Sequence, residues 1–291
     1  MRKRTELIFQ LVIFIGPVLT RNRQNSASIW IAETIMSDLL PDLISPVMAS
    51  VLVLAAFLTS ALTSAVGIGG GLVLLAVMSA IMPPAAVIPV HGVSQLGANS
   101  SRFVFLGRHT AWPILIWFSL GALLGAGIGA HLYVDLPGWM LRFAIGLFVL
   151  FAVWGPKPKG FSPSKMTFGI SGAISSFLTM FVGATGPFVA GMLATTSLDR
   201  QKIVSTHAAA MVIQHGMKTL AFGFIGFAFA DWAFLLAAII AAGFLGAGVG
   251  ARILRGLPEK AFRHAFNWTL TIVASYLLFK SIAEAVSAAF A

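Results

Sequence analysis

The chain has 291 residues, 58% of them hydrophobic and only 10% charged, with a mean hydropathy of +0.93. A soluble domain carries about a quarter charged residues, so a water-soluble globule is excluded. The long continuous apolar runs, without the short alternation of a membrane barrel, indicate an all-α, polytopic helical membrane protein. The formal charge of +10 reads as loop lysine and arginine orienting helices in a bilayer, not as a nucleic-acid footprint, and the lack of cysteine excludes disulfides and thiolate chemistry.

Residues 1–43 read as an N-terminal extension. MRKRTE precedes an apolar stretch at 7–19 and then RNR, similar to a signal peptide's basic and apolar regions but without a small-residue cleavage site. Residues 28–40 place Ile31, Ile35 and Leu39 on one side of an interfacial helix. Membrane repeat 1 is expected over 44–155. It opens with an apolar arm at 44–66, a break at GIGGG (67–71) and a shorter arm ending at Pro83 and Pro84. Helices near 85–106, 111–134 and 138–155 follow. A polar linker, PKPKGFSPSK, covers 156–165. Membrane repeat 2, over 166–283, keeps the order: an arm at 166–182, a break at GATGP (183–187) and a short arm to Ser197. Helices near 201–228, 231–254 and 261–283 complete it, and residues 284–291 form a C-terminal tail.

The duplication rests on polar landmarks. His91, Gln95, Asn99 and Arg102 fall at i, i+4, i+8 and i+11, one face of a helix. His207, His215 and Lys218 repeat the pattern at i, i+8 and i+11 with a constant offset of 116, and Gln214 lies beside them. GAGIGA (125–130) answers GAGVGA (246–251), and Leu136 with Pro137 answers Leu257 with Pro258, both at an offset of 121. The two glycine-rich hexapeptides read as helix-packing surfaces. Loop charge swaps between the repeats. Arg108 follows the first polar helix, whereas its counterpart loop FADW (229–232) has no basic residue. YVDLPG (133–138) has none, whereas 252–263 carries Arg252, Arg255, Lys260 and Arg263. Corresponding loops on opposite sides are the signature of inverted-topology repeats. The linker with Lys157, Lys159 and Lys165, and the turn with Arg200 and Lys202, are then cytoplasmic.

Ionisable side chains within a bilayer face a protein interior or a watery cavity. Glycine-rich breaks in membrane are tolerated where they line a cavity, and a helix that starts after one points its positive end there. Gly69, Gly70 and Gly71 start one such half-helix, and Thr185, Gly186 and Pro187 the other. The predicted substrate-binding set is therefore Gly69, Gly70, Gly71, Gln95, Asn99, Arg102, Thr185, Gly186, His207, Gln214, His215 and Lys218. Hydroxyls at Ser64, Ser94, Thr179 and Thr185 are further donors. Arg102 and Lys218 lie towards helix ends on this map, where snorkelling to the interface is the competing reading. None of the nine carboxylates lies in the middle of a core helix, which leaves a carboxylate proton relay or sodium site without ligands. Coupling then falls to His91, His207 and His215, or is absent. No metal site, cofactor, P-loop or catalytic nucleophile is expected.

GIGGG after a hydrophobic arm, the Pro-Pro that ends the next, and the GALLGAGIGA helix together resemble the TauE/SafE family, the sulfite exporter or toluene sulfonate uptake permease group. The resemblance covers about 46–283. It implies a duplicated helical membrane protein that moves sulfite, sulfoacetate or other organosulfonates. The GATGP break and the long N-terminal extension depart from it. The expectation is a multi-pass protein of the cell inner membrane, a secondary transporter or facilitator of a small anion, not an enzyme. A sulfonate or sulfite would bind between the two half-helix N-termini. Its partners are the anion and the lipid bilayer, with no nucleic acid and with a homodimer left open. An anion channel is the alternative, ahead of an intramembrane enzyme or a structural subunit.

Overall fold

The computed structural model describes residues 40–66, 69–133, 137–155, 164–253 and 259–289. The extension at 1–39, most of the 156–165 linker, and the loop residues Asp135 and Arg255 lie outside the described residues.

The described residues form ten α-helices: α1 (Pro46–Val66), α2 (Gly70–Ile81), α3 (Pro84–Leu106), α4 (Trp112–His131), α5 (Gly138–Trp154), α6 (Lys165–Val182), α7 (Gly186–Ala194), α8 (Arg200–Ile225), α9 (Ala233–Ile253) and α10 (Glu259–Ala289). Prolines set several starts. Pro84, Pro113 and Pro187 occupy the first turns of α3, α4 and α7, where a missing N–H costs nothing. Ser164 and Thr167 form a reciprocal capping box at α6. Asp199 caps α8 by accepting from the Lys202 N–H at 2.9 Å; that bond, with the Lys202 ammonium, holds its carboxyl below the usual carboxylate range. The last helix runs on to Ala289, past the boundary expected at 283.

Five segments are long and apolar enough to cross a bilayer: Pro46–Ser64, Trp112–His131, Lys165–Val182, Phe229–Gly250 and Leu270–Ala289. α3 and α8 are longer than several of these but spend one face on polar residues, which removes them from a hydropathy criterion. The outward faces are apolar, with Leu124, Phe151, Phe224 and Phe279 exposed, as a lipid-facing surface requires. The chain is a multi-pass helical membrane protein.

The helices of the two halves pair reciprocally. α1 lies along α9 and α6 along α4, while α3 pairs with α8 and α5 with α10. The glycine hexapeptides make the first two contacts. A β-carbon at Gly125 would overlap the Ala173 carbonyl, and one at Gly246 would overlap that of Phe57. Gly250 stands in the same relation to the Ala61 carbonyl. Without side chains there, two backbones approach closely enough for strong van der Waals contact, which drives helix association where lipid removes the hydrophobic force. Phe57 and Ala173 themselves differ by 116, so both halves bury the same surfaces on each other. α5 and α10 are tied by the Arg142–Glu284 ion pair and by Ser281 Oγ donating to the Trp139 carbonyl at 2.7 Å. This frame places α3 and α8, the two polar helices, side by side between the half-helices α2 and α7.

Candidate functional site

Each break contains a glycine at positive φ, before the half-helix in one case and at the end of the preceding helix in the other. α1 ends before the first break and α2 starts after it, with Gly69 at φ 113°. α6 ends on Gly183 at φ 86°, and α7 starts three residues later. Only glycine adopts such φ values readily, so each break is built on a residue without a β-carbon. The breaks bring the N-termini of α2 and α7 to a common cavity of about 40 Å³, beside α3 and α8.

The first four N–H groups of any helix lack a partner inside it. In α2, the Gly70 N–H donates to Thr63 Oγ1 at 3.0 Å, and that of Leu72 donates to the Gly69 carbonyl at 2.9 Å. In α7, the Phe188 and Val189 N–H groups both donate to the Thr185 carbonyl, and Pro187 has none to offer. Gly71, in the first turn of one half-helix, and Gly186, which opens the other, both line the cavity.

The polar helices complete the wall. His91, Gln95, Asn99 and Arg102 from α3, and His207 and His215 from α8, all line the cavity. His91 Nε2 donates to the Gly71 carbonyl at 2.9 Å, and His207 Nε2 to the Gly186 carbonyl at 3.1 Å. A carbonyl can only accept, so each Nε2 carries a proton. Each histidine thereby clamps the first turn of a half-helix. The His91 and His215 rings meet edge to face, 5.9 Å apart. Asn99 Nδ2 donates to the Gln95 carbonyl at 2.7 Å. Arg102 uses Nε in a long bond to the Ala98 carbonyl, 3.4 Å, leaving its terminal nitrogens for the cavity. Among the described residues, no carboxylate lines the space. A guanidinium and two helix N-termini without an opposing carboxylate among the described residues have the chemistry of a candidate anion site.

The remaining predicted residues stand behind this wall. Gly70 is a packing glycine, since a β-carbon there would overlap Thr63 Oγ1 and the Thr59 carbonyl. Thr185 and Gln214 belong to a buried network. Ser175 Oγ bonds Thr185 Oγ1 at 2.8 Å and donates to Gln214 Oε1 at 3.0 Å. Lys218 is fully buried, with its Nζ donating to the Gly183 carbonyl at 2.7 Å, at the negative C-terminal end of α6. Lys218 does not snorkel, and Arg102 turns inward. The hydroxyls of Ser94 and Thr179 donate to the Val90 and Gly183 carbonyls, so their protons are committed inside the protein. Thr63, Leu72, Ala184 and Met211 line the cavity without having been expected there. The offset of 116 was the signal for two of them. It relates Gln95 to Met211 and Thr63 to Thr179, the threonine that serves the other break.

The fold and the cavity define a multi-pass helical membrane protein with a candidate anion site. The family model described as sulfite exporter TauE/SafE matches residues 52–277, and the chain belongs to that family. Membership makes it a membrane anion transporter. No curated protein and no solved structure matches the chain.

Proposed function

We propose that the protein is a secondary transporter or facilitator that binds sulfite or a small sulfonate in the cavity between α2 and α7. The observation that carries this reading is the convergence of the first turns of α2 and α7, at Gly71 and Gly186, with Arg102 on one space free of carboxylates among the described residues. Backbone donors suit an anion that must later leave, because they offer fixed dipoles instead of a full counter-charge. The cavity volume of about 40 Å³ holds about three water-sized groups at about 10–15 Å³ each. That matches the three oxygens of a sulfite or sulfonate head and leaves little room for a long organic tail. His207 and His215, with His91, are the titratable candidates for coupling, and the placement in the inner membrane follows from the same transport role.

The test is a thermal-shift screen of purified protein against sulfite, methanesulfonate, taurine, sulfate and acetate, followed by flux into proteoliposomes. A ligand at one hundred times its Kd stabilises the native state by about 2.7 kcal/mol. Sulfite is expected to raise the unfolding temperature and to show saturable flux that does not require sodium. Stabilisation by acetate alone would refute the sulfur-oxyanion reading. Flux that never saturates would replace the transporter with a channel.

A further inference from the structure

The cavity wall carries polar and apolar side chains, and its two polar helices differ at one position of the repeated pattern. On α3 the second position of the polar face is Gln95; the equivalent position on α8, 116 residues on, is Met211. Both side chains are buried and both line the cavity. The remaining positions keep polar side chains in both halves: His91 with His207, Asn99 with His215, and Arg102 with Lys218. Met211 is therefore the one place where an apolar group replaces a polar group on this face. Leu72, Ala184 and Pro187 are the other apolar residues of the wall, and His207 and His215 flank Met211 one turn away on α8. Its position is close to the chemistry: a β-carbon added at Gly186 would sit 3.5 Å from the Met211 sulfur. The thioether thus lies against the half-helix N-terminus that Gly186 opens.

A thioether accepts hydrogen bonds weakly and donates none. An anion whose oxygens take the donors of the wall turns a non-oxygen face to the one position, Met211, where the repeated polar face offers no donor. Sulfite meets that condition, because its pyramid has three oxygens and a bare sulfur lone pair. An alkanesulfonate meets it too, with carbon in place of the lone pair. Sulfate does not. Its fourth oxygen would be buried against Met211 without a donor, which is the arrangement that desolvation penalises most.

Resting on the anion site proposed above, we propose that Met211 is the specificity-determining residue of the cavity: it admits oxyanions with one non-oxygen face and excludes sulfate. Sulfate and methanesulfonate have the same number of heavy atoms and differ by one oxygen against one methyl; they also differ by one unit of charge, which cancels when the same pair is compared between two proteins. Gln is close to Met in length, so Met211→Gln supplies a donor with little change of volume and restores on α8 what Gln95 provides on α3.

Calorimetric titration of purified protein with sulfite, methanesulfonate and sulfate is the measurement. The wild-type protein is expected to bind methanesulfonate at least about tenfold more tightly than sulfate. Met211→Gln is expected to shift that ratio by about tenfold towards sulfate, with sulfite affinity changed less. The ligand charges are the same for both proteins, so the shift between proteins isolates the wall. Equal wild-type affinity for sulfate and methanesulfonate overturns the proposal, as does an unchanged ratio in the variant. Should Met211→Gln not fold, Met211→Thr, which also places a donor on the wall, is read by the same shift in ratio. Loss of binding for all three anions is a different result: it removes the anion site itself, and the role of Met211 with it.

Discussion

The two halves of the molecule put equivalent residues to different uses. In the first half, Arg102 faces the cavity and Gln95 extends its polar wall. In the second, the counterpart of Arg102 is Lys218, fully buried and bonded to the Gly183 carbonyl, and the counterpart of Gln95 is Met211. What stays alike is the frame: a positive-φ glycine at each break, a histidine clamped to each first turn, and a glycine face on α4 and α9. The surfaces that the halves bury on each other stay alike because each contact there has a reciprocal. The cavity has no such constraint. In the function proposed above, one half of it carries the charge for a ligand, while the other half's cation donates to the carbonyl at the end of a helix.

The strongest way to break this comparison is to attack the shared frame. Gly125→Val and Gly246→Val each drive a side chain into a carbonyl of the facing helix, Ala173 in one case and Phe57 in the other. Backbone cannot step aside as a flexible side chain does. Each substitution is expected to destabilise by at least the upper part of the about 1–3 kcal/mol seen for overpacking. Loss of folded protein, followed by thermal unfolding in detergent, is the readout. If one variant is tolerated and the other is not, the two helix contacts are not equivalent.

The next effect separates the cations. Arg102→Ala removes a charge-assisted donor from the cavity and is expected to weaken anion binding by about ten- to a hundredfold, since such bonds contribute about 1.5–3 kcal/mol. The fold should survive, because Arg102 makes only a long bond to its own helix. Lys218→Met keeps most of the volume and removes the charge. The Gly183 carbonyl retains the Thr179 hydroxyl, and the buried ammonium's desolvation penalty disappears. Stability is expected to change by less than about 2 kcal/mol and affinity by less than for Arg102→Ala. Equal losses of affinity in the two variants would show that both cations serve the ligand.

Much of the fold was readable from pattern because membrane imposes simple rules. Long apolar runs, proline starts and glycine breaks located the helices to within a few residues, with α10 the main exception. The polar face on α3 and α8 was legible from spacing alone. The depth at which each residue stands was not. Gly70 and Gly71 look alike in sequence, but one backs onto Thr63 and the other faces the cavity. Gln214 adjoins His215 along the chain, yet a helix turns successive residues by about 100°, which sends Gln214 to the Ser175 and Thr185 network. Met211 was overlooked because an apolar residue in a membrane helix carries no signal of its own. Only its partner Gln95, read through the repeat, makes it conspicuous.

The mildest perturbation tests the relation between the halves. Swapped loop charge is the basis for inverted topology, and reciprocal helix pairing is compatible with it but does not orient the halves in a membrane. The chain has no cysteine, so single-cysteine variants need no background correction. Arg108, in the short turn between α3 and α4, and Asp231, in the turn between α8 and α9, occupy equivalent connections. Both lie outside the cavity wall, and Arg108→Cys and Asp231→Cys should each leave stability within about 0.5 kcal/mol of the parent, as surface substitutions do. An impermeant maleimide applied to intact cells is expected to reach the cysteine at 231 and to miss that at 108, which should label only after the membrane is opened. Inversion requires this opposition, since the α3–α4 turn is basic and the α8–α9 turn is not. Labelling of both from the same side would mean that the halves run parallel, and the two half-helix N-termini would then need a different account of how they come to face one cavity.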